Sequence, residues 1–322
     1  MNSSGRAFTV PGNVLLMGEF AVLEEGGLGI ALAVERRVRV RIQPGPSLTF
    51  KGVWAGTTTD WTPESLSASP LLSACVWVVD KWLHEEAARH AHLQASISID
   101  SSDFFATDGR KTGFGSSASV TVGAVVALLA AAGVPVIDIS ELAEPLSVAA
   151  HRRAQGGIGS GYDVTASLRG GMGIFCGGPS PTWETCALPW GPSLISFAGA
   201  HAVHTEHSVR RYNEWKKGNP GPAREFLAAS NDAIRSFLAA SSAHEAAPWF
   251  AESRRLGLSL GEAIGVPASI KPPAGLDPEW CKAMGAGNEM GICLAEEVMS
   301  EEHGNPRWQR LLAAREGIRW EE

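Results

Sequence analysis

The sequence predicts a two-domain α+β fold. Its 322 residues correspond to about two domains, at roughly 150 residues per domain. Short strand-like segments and long helical segments both occur, but they do not alternate regularly as they do in a doubly wound βαβ sheet. The 36 glycines fall in separate turns rather than in a repeat, so a fibrous or solenoid architecture is excluded.

The N-terminal part combines strands with helices. Val14–Met17 follows Pro11 and Gly12 and predicts a short strand, and Val34–Ile42 alternates in a way that predicts a half-buried strand with its arginines on the outer face. Residues 51–70 are rich in Thr, Ser, Pro and Gly and predict a loop. Further elements are a helix over 71–89, a strand over 96–100, a helix over 117–132 that Gly133 and Pro135 end, and a helix over 139–155.

The C-terminal part begins after a Pro-, Gly- and Trp-rich connector. We predict a strand over 172–176, the connector over 177–192, and therefore two domains, at 1–185 and 186–322. A strand over 194–197 then precedes helices over 206–217, 221–240 and 243–264. Residues 280–284, a glycine turn at 285–291, a strand over 292–295 and a final helix complete the chain.

Composition narrows the classes of function. A net charge of −7 argues against nucleic-acid binding, which normally needs a basic face. The longest strictly apolar run has nine residues, 124–132, far below the roughly 20 that span a bilayer, so we expect no membrane partner. Five widely spaced cysteines without a Cys-x-x-Cys pair lead us to expect neither a disulfide framework nor a zinc site, and a cytoplasmic location.

The segment 110–119 is the most informative stretch of the chain. Gly113 and Gly115 precede Ser116, Ser117 and Ala118 at the predicted start of a helix. Glycine lets a ligand approach the backbone, and the unpaired N–H groups of a helix start favour an anion, so we predict that these five residues bind phosphate. A hydroxyl there, that of Ser117, can also ligate Mg²⁺. The alternative is a serine-capped helix after a flexible turn.

Three motifs in this order resemble the GHMP kinases. The first is Pro11–Leu23, a Pro-Gly followed by an apolar strand and Gly-Glu; the second is the glycine–serine loop Gly113–Ser119; the third is the turn Gly285–Gly291. The resemblance implies a two-domain GHMP kinase fold with a ferredoxin-like C-terminal domain. It also implies ATP and Mg²⁺ as cofactors and a small phosphorylated or hydroxylated molecule as acceptor, with the protein a monomer or homodimer.

Within this family the chain is most similar to the phosphomevalonate kinases. Lys111-Thr112-Gly113 is similar to the start of their nucleotide loop, and residues 154–164, with His151 before them, are similar to their Ala-Gln-Gly and Gly-Ser-Gly-Phe-Asp-Val segments. This resemblance implies phosphorylation of 5-phosphomevalonate to 5-diphosphomevalonate in isoprenoid biosynthesis.

The resemblance also implies roles for individual residues. Asp163 would face the acceptor as a catalytic residue, although it could instead cap the following helix. A phosphate monoester is already largely dianionic at pH 7 and needs no base, so positive charge should assist the transfer. We favour Lys111 over Arg110, Arg152, Arg153 and Lys282. The predicted acceptor contacts are Asn13, Glu19, Ser160, Gly161, Lys282, Gly285 and Gly287.

Two departures from the family pattern keep alternatives open. Asn13 stands where mevalonate-pathway kinases usually carry lysine, and Asn288-Glu289-Met290 replaces glycine-rich sequence. The alternatives are a mevalonate kinase, another small-molecule GHMP kinase, or a catalytically silent homologue that acts as a binding module.

Overall fold

The structure is a computed structural model of the chain. It describes residues 5–85, 93–191, 193–199, 205–285, 287–295 and 308–321. The strands are β1 (Arg6–Met17), β2 (Leu28–Pro44), β3 (Thr49–Trp54), β4 (Thr57–Trp61), β5 (Ala95–Asp100), β6 (Met172–Cys176), β7 (Thr182–Cys186), β8 (Ser193–Ala198), β9 (Cys281–Met284), β10 (Met290–Ala295), β11 (Gln309–Arg310) and β12 (Arg319–Trp320). The helices are α1 (Pro70–Glu85), α2 (Ser116–Ala131), α3 (Val136–Ala154), α4 (Tyr162–Arg169), α5 (Thr205–Gly218), α6 (Pro220–Ala239) and α7 (Ala243–Ile264).

The chain forms two compact units, each assembled from separate segments. The first unit comprises Met1–Asn13, Ala33–Gly171 and Ala314–Glu322, and the second comprises Val14–Leu32 and Met172–Ala313. The two long strands β1 and β2 each contribute residues to both units. The domain boundary between 185 and 186 stays a prediction.

The first unit packs helices α1–α4 with a mixed sheet. Its strand order is β12-β1-β2-β5-β3-β4. Strand β5 runs antiparallel to β2, with Val40 opposite Ile99, and parallel to β3, with Phe50 opposite Ile97. Alternate residues of β5, and of β2 over residues 38–43, are buried, as the period of two predicts for a strand with one face on the core, whereas residues 29–34 of β2 are all buried.

Helix α2 lies at the centre of the first unit. It consists almost entirely of Ala, Val, Leu, Ser and Thr, and residues 121–129 are all buried, because a helix that is apolar on every side must be surrounded by other elements. Gly115 precedes it with φ +71°, and Gly133 follows it with φ +75°. Both glycines adopt the left-handed conformation that other residues avoid, so the sequence fixes both ends of this helix.

The second unit contains a four-stranded sheet of order β11-β8-β10-β9 together with helices α5–α7. Strand β6 pairs with the first residues of β2, with Ile174 opposite Ile30, and β7 pairs with β6. Helix α7 begins at Ser242, whose hydroxyl accepts a hydrogen bond from the N–H of Glu245, and ends at Gly265 with φ +66°. These signals explain why the predicted range 243–264 equals the observed helix.

The α+β prediction is confirmed, whereas three local predictions are wrong. Residues 51–70 contain the β3–β4 hairpin instead of a loop alone, and the connector 177–192 contains β7. Arg37 is buried: its guanidinium pairs with Glu35 at 2.7 Å and donates to the carbonyls of Glu316 and Gly317. The predicted final helix follows residue 295. Residues 296–307 lie outside the described residues, and residues 308–321 contain the short strands β11 and β12.

A fourth correction concerns the cysteines. Cys281 and Cys293 form a disulfide between the neighbouring strands β9 and β10, where they are direct cross-strand partners. The two cysteines are 12 positions apart in sequence, and the sequence analysis did not predict the β9–β10 hairpin that makes them neighbours. Both side chains are buried in a cluster with Ile195, Phe197 and Leu276.

Among the residues that the structure describes, every helix is too short or too polar to cross a lipid bilayer.

Candidate active site

The glycine–serine loop presents free backbone donors at the start of α2. The first hydrogen bond of the helix runs from the N–H of Ser119 to the carbonyl of Gly115, at 3.2 Å. The N–H groups of Ser116, Ser117 and Ala118 precede that bond, so they lack acceptors within the helix. Gly113 is exposed with φ +71°, and Ser116 and Ser117 are half-buried. The loop therefore has the donors and the access that an anion requires.

Asn13 supports this loop from beneath. Its side chain is 2% exposed and donates to Ser167 Oγ at 3.0 Å and to the carbonyl of Gly115 at 3.5 Å. The hydroxyl of Ser119 donates to the carbonyl of Pro11 at 2.8 Å. A side chain at Gly115 would collide with the Asn13 amide, since a Cβ atom there would lie 2.3 Å from Nδ2. Asn13 therefore uses its amide to hold the loop, and its contact with an acceptor stays a prediction.

Three polar residues meet behind the loop. Ser117 Oγ lies 3.1 Å from His151 Nε2, and His151 Nδ1 lies 3.4 Å from Asp163 Oδ2. The other oxygen of Asp163 accepts the N–H of Val164 at 2.9 Å, a donor in the first turn of α4, whereas the N-cap position of that helix is Gly161. The side chain of Asp163 remains 23% exposed. The structure thus places the predicted metal ligand and the predicted catalytic carboxylate on either side of a buried histidine.

The glycine-rich segment 156–161, which precedes α4, is held by the guanidinium group of Arg152. Arg152 donates from Nε to the carbonyl of Gly159 at 2.9 Å and from Nη2 to the carbonyl of Ser160 at 2.7 Å. Gly161 then begins α4 with φ +95°. Arg152 therefore fixes the turn that delivers Asp163 to His151.

An aromatic groove adjoins the loop within the first unit. Lys111, Ser116 and Ser117 contribute to its lining. Its larger apolar side chains are Phe50, Trp54, Trp61, Leu71, Leu72, Ile99 and Phe105. The rings of Trp54 and Trp61 stack with centroids 6.1 Å apart.

The sequence reading missed the groove because it assigned residues 51–70 to a loop. The β-branched run Thr57–Thr59 after Ala55-Gly56, with aromatic residues at Trp54 and Trp61, was the available signal for a hairpin.

The five cationic side chains that the sequence analysis considered differ in the groups that they contact. Arg110 pairs with Asp108 at 2.7 Å, Arg153 stacks on Trp77 at 3.7 Å from the ring centroid, and Arg152 binds carbonyls. Lys111 is exposed and has no ion pair within the described ranges of the chain. Of the four in the first unit, Lys111 is the one whose charged group has no ion pair, ring or carbonyl partner among the described residues.

Lys282, the fifth cation, belongs to the second unit. It is 2% exposed, forms an ion pair with Glu19, and donates to the carbonyls of Ala283 at 2.8 Å and Leu16 at 3.2 Å. Glu19 therefore balances its charge within the fold. Gly285 and Gly287 line the same small pocket as this pair, and the acceptor contacts predicted for all four residues stay predictions.

Mg²⁺ fits the loop as a cation that arrives with a nucleotide. The described residues contain no group of three His, Cys, Asp or Glu side chains that could hold a metal. Mg²⁺ usually keeps several waters and binds through one or two protein groups together with substrate phosphates. Ser117, beside the free N–H groups of α2, has the chemistry to be such a ligand.

Comparison with known proteins gives a family match within the first unit. Residues 74–171 match the family described as GHMP kinases N terminal domain. A phosphomevalonate kinase of Saccharolobus solfataricus (strain ATCC 35092 / DSM 1617 / JCM 11322 / P2) is 30% identical over 169 residues, which are 51% of this chain and 47% of that relative. The match thus spans about half the length of the curated relative.

Solved structures share the fold across nearly the whole chain. The Lin0012 protein from Listeria innocua superposes with a TM-score of 0.78 and 18% identity, covering 99% of this chain and 100% of that one. The Streptococcus pneumoniae phosphomevalonate kinase in complex with phosphomevalonate and AMPPNP gives a TM-score of 0.70 and 18% identity, covering 91% and 92%. Mevalonate kinases and a galactokinase have the same fold.

Proposed function

We propose that this chain transfers the γ-phosphoryl group of ATP to a small acceptor. Its residues 74–171 match the N-terminal domain of the GHMP kinases, and it has their fold. The acceptor we propose is 5-phosphomevalonate, with 5-diphosphomevalonate and ADP as products. The protein would act in isoprenoid biosynthesis as a monomer or homodimer. The Cys281–Cys293 disulfide removes the cysteine argument for a cytoplasmic location, which stays a prediction.

The observation that carries this proposal is the geometry of the glycine–serine loop. Three consecutive N–H groups at the start of α2 are free of helical partners, and the positive end of the helix dipole adds to their attraction for phosphate. Residues 121–129 of α2 are all buried, so the neighbouring elements hold the helix that presents these N–H groups.

The groove beside the loop suits the rest of the nucleotide. Its aromatic and aliphatic walls would cover a base and sugar, while Ser116 and Ser117 at its edge would meet the phosphates. When bound, Mg²⁺ would neutralise phosphate charge during transfer. Ser117 would contribute one oxygen ligand.

Lys111 and Asp163 would have separate roles in the transfer. Transfer between two phosphate groups is opposed by anion repulsion, which a nearby ammonium group reduces. Lys111 is exposed at the groove and has no ion pair in the described part of the chain. Asp163, anchored by His151 and the N–H of Val164, would orient the acceptor rather than remove a proton.

The choice of acceptor is supported by the relatives. The curated protein matched over half of this chain is a phosphomevalonate kinase, and one structure of similar fold was solved with phosphomevalonate and AMPPNP. Because mevalonate kinases share the fold, mevalonate is the competing acceptor.

Steady-state ADP release by the purified protein tests the proposal. With ATP and Mg²⁺, we expect turnover with phosphomevalonate and little with mevalonate, homoserine or galactose. Turnover with one of the latter three alone would contradict the acceptor and leave the kinase activity standing. Nucleotide binding without turnover on any acceptor would favour a catalytically silent binding module. Two observations support that alternative: the Asn13 amide is hydrogen-bonded to Ser167, and Lys282 is paired with Glu19.

A further inference from the structure

His151 joins two residues of the proposed site, and its only role in the proposed function is to anchor Asp163. It is 4% exposed and lies near the end of α3, with one ring nitrogen toward Ser117 and the other toward Asp163. A buried imidazole in contact with a hydroxyl and a carboxylate has a defined hydrogen-bond pattern, which its neighbours determine.

The neighbours of His151 specify one tautomer. Asp163 Oδ2 lies 3.4 Å from Nδ1, and a carboxylate at this distance favours the ring proton on Nδ1 because it has no proton to donate. The side-chain amide nitrogen of Gln155 lies 3.1 Å from Nε2 and can only donate. These contacts favour the Nδ1–H tautomer, in which the Gln155 amide and the Ser117 hydroxyl share the single lone pair of Nε2.

This tautomer determines the direction of the Ser117 hydroxyl. Ser117 Oγ lies 3.1 Å from Nε2, so its hydrogen points at His151 and its two lone pairs point away from the ring. A cation needs those lone pairs. An Nε2–H tautomer would donate to Ser117 Oγ and occupy one of them.

We infer that His151 is a positioning residue, which accepts the Ser117 hydroxyl and thereby directs the lone pairs of Ser117 toward a cation carried by the nucleotide phosphates. Asp163 holds the imidazole in the required tautomer. This inference rests on the proposed function, because it assigns the cation to a nucleotide at the glycine–serine loop. The partner of a metal ligand typically changes metal affinity by 10- to 100-fold when it is removed.

The tautomer can be measured in the ligand-free protein. In a sample with ¹⁵N-labelled histidine, the nitrogen spectrum separates protonated from unprotonated ring nitrogens. The His151 signal is identified by its absence from a His151→Gln protein. We expect the Nδ1–H form, whereas the Nε2–H form would overturn the inference.

A matched pair of variants tests the effect on the cation. His151→Gln places an amide oxygen near the position of Nε2 and keeps an acceptor for Ser117. His151→Asn keeps a donor toward Asp163 but leaves Ser117 without an acceptor. We expect His151→Asn to weaken binding of Mg²⁺·AMPPNP about tenfold and to leave binding of metal-free AMPPNP unchanged, with His151→Gln close to wild type in both. Ser116→Ala, at the same helix start, controls for the loss of a serine hydroxyl.

The outcomes separate this inference from the proposed function. Equal Mg²⁺·AMPPNP affinities for the Asn and Gln variants would overturn it, as would an equal loss in metal-free binding. If wild-type protein binds no nucleotide, the proposed function is wrong, and so is the part of the inference that concerns a cation. The ¹⁵N spectrum still decides which tautomer His151 adopts. Should His151→Asn not fold, the spectrum of wild-type protein and the comparison of Ser117→Ala with Ser116→Ala in Mg²⁺·AMPPNP binding provide the test.

Discussion

Replacement of Gly115 by alanine probes the loop with one methyl group. Two costs follow from the structure. Gly115 has φ +71°, where a residue with a Cβ atom loses about 1–2 kcal/mol. The new Cβ would also lie 2.3 Å from Asn13 Nδ2 and 2.5 Å from its Cγ, so the amide must turn away and lose its 3.0 Å hydrogen bond to Ser167. Leaving such buried groups unpaired costs about 1–3 kcal/mol. The free energy of unfolding should therefore fall by about 2–5 kcal/mol.

The opposite end of the same helix supplies the control. Gly133 has φ +75°, and a Cβ atom there would meet nothing within 4 Å. Gly133→Ala should therefore cost only the backbone contribution, about 1–2 kcal/mol, and should leave nucleotide affinity unchanged. Urea unfolding measures both losses, and calorimetry with Mg²⁺·AMPPNP measures binding, which we expect Gly115→Ala to weaken at least tenfold.

A double-mutant cycle isolates the collision with Asn13. In an Asn13→Ala background the atoms that Gly115→Ala would strike are gone, so the second substitution should cost only the backbone contribution. An equal cost of Gly115→Ala in both backgrounds would refute the reasoning, as would equal losses at Gly115 and Gly133.

Three further predictions concern charge, the acceptor and the disulfide. Lys111→Met should lower kcat with phosphomevalonate about 100-fold. Arg110→Met removes a neighbouring cation that is already paired with a carboxylate, so its kcat should stay within about twofold of wild type. Equal effects of the two substitutions on kcat would contradict the assignment of Lys111. Asp163→Asn should lower kcat about tenfold or less, because a dianionic acceptor needs no base; a loss of 10³-fold or more would indicate general base catalysis. Reduction of the Cys281–Cys293 disulfide should lower the free energy of unfolding by about 3 kcal/mol, given its short loop, and Cys281→Ser should reproduce that loss; an intact mass of the unreduced protein equal to that of the free thiols would show that the bond is not formed.

The helices and their ends could be predicted from the sequence because local signals specify them. Helix α7 has a serine cap at Ser242 and a glycine stop at Gly265, and its range was predicted correctly. Helix α2 likewise lies between glycines with positive φ. In both helices, capping groups and glycine conformation act within a few residues, so no knowledge of tertiary contacts is needed.

The pairings between distant residues could not be predicted in the same way. Arg37 was assigned to an outer strand face by alternation, but the carbonyls of residues 316 and 317 meet its guanidinium. His151 and Ser117 are separated by 34 residues in sequence, and their contact requires α2 and α3 to pack together. The β3–β4 hairpin, and with it the groove, was missed because polar turn-forming residues outnumber apolar ones over 51–70.

The ³¹P NMR spectrum of the reaction mixture tests the central claim most directly. Purified protein is incubated with ATP, Mg²⁺ and 5-phosphomevalonate, and the phosphorus signals of the acceptor are followed. We predict that the monophosphate signal is replaced by the coupled pair of a diphosphate, in step with the conversion of ATP to ADP, and that Gly115→Ala slows both changes together. An unchanged monophosphate signal, at protein concentrations where Mg²⁺·AMPPNP binds, would contradict the account.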